Sequence, residues 1–144
     1  MKALLAPLLC AACLLLAGSA QAAVHEYGPS FSRFGIDVPD GWTAKALKNG
    51  VHLVSGDRQN SIAAIIDANR GHTAEQIAKS VAHKTGLKEI RRKDDSNYFV
   101  TGFKDGAKVG ITITVAGKFF VMFSMAGSDA DALLRIIGSF HLVE

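Results

Sequence analysis

Cysteine is the first scarcity. The 144-residue chain holds two, Cys10 and Cys13, both within its first 22 residues. With that segment removed, the chain can form no disulfide, offer no thiol nucleophile and bind no metal through cysteine. An excess of one charge sign is lacking too. The chain has 16 Lys and Arg against 13 Asp and Glu, and only Lys2 falls in the first 22 residues, so 15 against 13 remain. A net of about +2 is too slight to argue for nucleic acid or an anionic membrane surface as partner. Long apolar runs are missing except one, residues 4–16, which is shorter than the roughly 20 residues a spanning helix needs. Three prolines make no linker, and no internal repeat is found.

What is present begins with an export signal. Lys2 gives the positive end, residues 4–16 the apolar core, and "AGSAQA" the small residues a signal peptidase reads. Cleavage after Ala22 is expected, with Ala20 and Ala22 as the A-x-A pair, which places the protein in the periplasm or outside the cell. The organisation expected is a signal at 1–22, a loose lead-in at 23–30 and one domain at 31–144, a size that supports a normal core.

Phe34, Ile36 and Val38 alternate with Gly35 and Asp37, the period of a half-buried strand. Pro39-Asp40-Gly41 stops it, and Asn49-Gly50 predicts a hairpin into "VHLVS". "SIAAIID" follows, apolar on both faces. "HTAEQIAKSVAHKTG" changes to helical period, with Thr73 and Gln76 forming a capping box and Gly86 closing the helix. The run "KEIRRKDD", in which Arg91, Arg92 and Lys93 precede Asp94 and Asp95, reads as a solvated face with much of its charge offset. "NYFVTGF", "AKVGITITV" and "KFFVMFSM" are three consecutive strands joined by turns at Asp105-Gly106 and Ala116-Gly117. The last is apolar on both faces and needs cover on both. Ser128 and Asp131 open a final helix, with Leu133, Ile136, Ile137 and Phe140 at helical spacing. The fold class predicted is α+β, a mainly antiparallel sheet with helices packed on its faces.

"FGIDVPDGW", "GHTAEQIA" and "SMAGSDADALLRIIGSF" resemble small bacterial PsbP-like and DcrB-like exported domains. Val38, Pro39, Gly41 and Trp42 match the strand end, and Ser139 with Phe140 the helix end. The resemblance covers nearly all of the chain after the signal and carries no catalytic signature. It implies an α-β-α sandwich and, in many members, scaffolding or assembly in place of catalysis.

No G-x-S-x-G elbow, P-loop, G-x-G-x-x-G or H-E-x-x-H occurs. His25, His52, His72, His83 and His141 show none of the close pairings that favour a metal site, and no spacing marks a Ser-His-Asp triad. Neither catalytic nor cofactor-binding residues are assigned. Asp129 and Asp131 read as helix caps, since a calcium loop needs more oxygen ligands. Met122 and Met125, three apart on a strand, point to opposite faces. Phe119 and Phe123 read as core against the final helix, and Trp42 as the plug at one end of that core. One chemical site stands out. A chain beginning Ala23-Val24-His25 can enclose Cu(II) or Ni(II) with its α-amine, two amides and the His25 imidazole, in the tetragonal geometry Cu(II) prefers. The expected function is therefore a non-enzymatic exported binding or assembly domain whose partner is another envelope protein. A small periplasmic hydrolase or ligand-binding enzyme is the alternative, and N-terminal Cu(II) or Ni(II) binding through His25 the second.

Overall fold

The structure is a computed structural model that describes residues 24–144; the expected signal lies outside them. The strands are β1 (Val24–Tyr27), β2 (Phe34–Asp37), β3 (Thr43–Leu47), β4 (Gly50–Val54) and β5 (Ser61–Ala68), followed by helix α1 (Ala74–Thr85). Then come β6 (Glu89–Arg92), β7 (Asn97–Lys104), β8 (Ala107–Ala116), β9 (Phe119–Ala126), helix α2 (Ala130–Ser139) and β10 (His141–Leu142). Seven strands form one antiparallel sheet in the order β3-β4-β5-β9-β8-β7-β6, and a small sheet has the order β1-β2-β10. The predicted α+β class holds.

Local chemistry explains most element ends. The Trp42 N–H donates to the Pro39 carbonyl at 3.0 Å while Gly41 takes φ +78°, the left-handed position that a type II turn reserves for glycine. Thr73 accepts from the Gln76 N–H and the Gln76 side chain accepts from the Thr73 N–H, so the capping box is complete. Gly86 closes α1 at φ 75°.

Three expectations need correction, whereas the charge run is solvated as expected and contains the exposed edge strand β6, paired with β7. The lead-in is not loose: β1 pairs with β2, Val24 opposite Asp37 through Tyr27 opposite Phe34. The first hairpin turns at Lys48-Asn49, because Leu47 already faces Gly50. Gly50 instead serves a close approach, since a Cβ there would overlap the Ala64 carbonyl. Helix α2 is capped by Asp129, not Ser128: the Asp129 carboxylate accepts from the Ala132 N–H at 3.1 Å.

Successive strand residues point to opposite faces, so the sheet carries two cores. On the α2 side, Leu133 and Ile136 join Phe34 and Ile36 of the small sheet over Val51, Leu53, Ile62, Ala64, Ile66 and Phe123. On the other side, Ala74, Ile77, Ala78 and Ala82 of α1 lie over Tyr98, Val100, Ile111 and Ile113. Strand β9 serves both, sending Phe119, Val121, Phe123 and Met125 one way and Phe120 and Met122 the other. Each fully buried aliphatic side chain contributes about 1.5–3 kcal/mol. The two covers are offset: α1 packs on β6, β7 and β8, whereas the α2-side core rests on β4, β5 and β9. Half of each sheet face is therefore left without a helix.

Candidate functional site

The bare half on the α2 side belongs to β6, β7 and β8. Register aligns Arg91 with Phe99 and Thr112, Glu89 with Thr101 and Gly110, and Phe103 with Lys108. Alternation puts these three rows on one face. Phe103 is 74% exposed and Phe99 37%, unusual for two aromatic rings in one strand. A Cβ on Gly110 would meet nothing within 4 Å, so the floor between them is open. The face continues to α2, where Leu134, 63% exposed, lines a shallow groove with Lys108, Gly110 and Leu133.

Charge distinguishes this face from an ordinary apolar patch. A depression on it is lined by Arg91, Arg92, Lys93, Phe99 and Thr101. Only part of the expected charge offset takes place. Asp95 hydrogen-bonds Arg92 and pairs with it, raising the guanidinium pKa further. Asp94 is engaged by the Asn97 side-chain amide and the Ser96 N–H, which hold its carboxyl below the usual range. Glu89 accepts from the Thr101 hydroxyl at 3.1 Å. Arg91, Lys93 and Lys108 form no ion pair among the described residues. The arrangement offers three free cations around two exposed phenyl rings.

The residues singled out from sequence lie elsewhere. His25 is exposed on β1, its ring 6.3 Å from Tyr27, and Ala23 lies outside the described residues. Trp42 packs against the α2-side core and also borders a shallow cleft with Pro39, Arg135 and Ile136. Phe123 meets Phe140 edge-on at 5.2 Å within the core, whereas Phe119, at the border of that core, stacks at 5.3 Å on Phe31, an exposed residue of the β1–β2 loop. Met122 and Met125 fall on opposite faces. Asp129 caps α2, and its N–H donates to Asn60.

Among the described residues no three His, Asp or Glu side chains gather in a metal-binding group. The one histidine ring with a hydrogen bond there is His141, to the Ser139 carbonyl. The Ser55 hydroxyl donates to Asp57 and holds that carboxyl below its usual range, with no histidine in the contact. Phe99 and Phe103 were missed from sequence, although their alternation with Thr101 was the available signal. Beside Tyr98 and Val100, they read as one more strand apolar on both faces.

No family model matches the chain, and no curated protein does. Its structure is similar to the solution structure of cyanobacterial PsbP (CyanoP) from Synechocystis sp. PCC 6803. The TM-score is 0.55 at 16% identity, over 88% of this chain and 96% of that one. The fold is PsbP-like.

Proposed function

We propose that this is a non-enzymatic exported domain that binds another envelope protein, docking an acidic, apolar-tipped segment on the bare face of β6–β8. One observation carries the reading: Phe99 and Phe103 stand exposed beside Arg91, Lys93 and Lys108, which form no ion pair among the described residues. Aromatic and arginine side chains are the usual anchors of protein interfaces, and like-signed charge selects an oppositely charged partner. The likeness to PsbP supports a domain of this architecture. The export signal expected at residues 1–22 supports the compartment. Among the described residues no helix is long and apolar enough to cross a membrane. Among those residues the hydroxyl–carboxylate contacts, Ser55 to Asp57 and Thr101 to Glu89, have no histidine beside them to support the hydrolase alternative.

Site-specific photo-crosslinking in intact cells tests the proposal. A crosslinker at Phe103 is expected to give one discrete protein adduct, which Arg91→Glu with Lys108→Glu abolishes. A crosslinker at Lys45, on the edge strand at the other end of the sheet, is expected to give none. No adduct from Phe103, or one indifferent to the charge reversals, would remove the proposal. From sequence alone we also propose that a chain beginning at Ala23 chelates Cu(II) or Ni(II) through His25.

A further inference from the structure

The second bare half of the sheet lies on the α1 side, and along its border runs a groove of about 560 Å³. One flank of α1, Gln76, Ile77, Ser80, Val81, Lys84 and Thr85, forms its wall. Its floor is apolar, from Ile111 of β8 and Phe120 and Met122 of β9, with Ser124 at one end. This is the size and character of a small-molecule pocket. Asn69, Arg70 and His72 close the opposite end. The direction follows from register, because Phe120 lies opposite Asp67, near the β5–α1 loop, and Ser124 opposite Ala63, further back along β5.

Three features give the groove a chemical preference. Its lining contains Arg70, Lys84 and His72 and no carboxylate. Arg70 and Lys84 form no ion pair among the described residues. Asp67, across the ladder from Phe120, is engaged by the Asn49 side-chain amide at 2.8 Å and by the Ala68 N–H.

Arg70 also occupies a costly place. It has φ 53° and Gly71 φ 81°, two consecutive left-handed residues. The His72 N–H closes the turn on the Asn69 carbonyl at 2.9 Å. Such a turn favours Asn-Gly, and arginine at its first central position is disfavoured by the backbone. The turn is fixed, with the Asn69 side chain donating to the Gly117 carbonyl at 2.7 Å and accepting from the Gly71 N–H at 3.0 Å. Backbone preference does not account for Arg70, whose cation stands at the end of an apolar groove; Arg58, the other left-handed arginine, lines none.

We infer that this groove binds a small amphipathic carboxylate, its apolar body on Phe120, Met122 and Val81 and its carboxylate held by Arg70 beside His72. The site is independent of the partner face, and its test separates the two.

Isothermal titration of the purified protein with octanoate, octan-1-ol and octyltrimethylammonium compares one tail with three head charges. Octanoate is expected to bind at least tenfold more tightly than either of the others. Arg70→Asn suits the turn better and leaves the melting temperature unchanged or higher, yet it should weaken octanoate about tenfold, the worth of one charge-assisted contact. Ser80→Trp, at an exposed wall position, fills the groove and should abolish binding with the circular dichroism spectrum unchanged. Arg91→Glu with Lys108→Glu should leave octanoate binding intact. Equal binding of the three probes, no binding at millimolar concentration, or an Arg70→Asn variant that binds as wild type would each overturn the inference.

Discussion

The α2 side and the α1 side of the sheet are each half covered, yet they leave unlike surfaces. The α2-side cover is built from large residues, Phe34, Ile36, Leu133 and Ile136, which fill the space above β4, β5 and β9. Beyond them, the face of β6–β8 is exposed and open at Gly110. The α1-side cover is built largely from Ala74, Ala78 and Ala82, which let the helix lie close over Val100 and Ile113. The other flank of that helix then forms a wall, and the border with the uncovered strands becomes a groove. One offset of two helices thus produces a face suited to a macromolecule and a recess suited to a small one. Side-chain size in the cover decides which.

Substitutions can pull that comparison apart. The largest effect is expected from Leu53→Ala, in the core under the small sheet and fully buried. Urea unfolding should show a loss of about 2–5 kcal/mol, and both surfaces should weaken together because they share one sheet. Ala78→Leu comes next. Ala78 is fully buried beneath α1, and the added bulk should cost about 1–3 kcal/mol by lifting the helix. Octanoate binding should be lost while the Phe103 crosslink persists. Loss of both would show that the two halves do not act separately. The smallest effect is expected at His25. A chain shown by N-terminal sequencing to begin at Ala23 should bind one Cu(II), and His25→Ala should lose it, with no change at either surface. Neighbouring strand residues send their N–H groups to opposite sides, so one of the two chelating amides faces β2 and must leave that ladder. A different first residue would end the copper proposal.

The hairpins and α1 were legible because their signals are local. Thr73, Gln76 and Gly86 act within one turn of the helix end they cap, and Asp105-Gly106 fixes its own hairpin with φ 51° and 77°. Strands β1, β6 and β10 were not legible. They are two to four residues long and, unlike the equally short β2, show no apolar alternation, and they exist because a neighbour offers a paired edge. Trp42 kept its predicted place against the core. The bare face of β6–β8 was hidden for a different reason. Strand β7 alternates Tyr98 and Val100 with Phe99 and Thr101, and only tertiary packing decides that the first pair is buried and Phe99 bare. The groove was equally out of reach, since Arg70 and Met122 come to line one recess only after the sheet is assembled.

The strand order has a kinetic consequence. Strands β3-β4-β5 form one run of local hairpins and β6-β7-β8-β9 another, and the two meet along a single ladder, β5 against β9. Forming that ladder brings Ala68 to Phe119 and closes a loop of residues 69–118. Each run can form from short-range contacts, whereas the seam must first meet the entropy of that closure. The seam is therefore the natural folding barrier. Until it closes, β5 and β9 each present an unpaired apolar edge, the form in which a folding chain is most prone to pair with another copy.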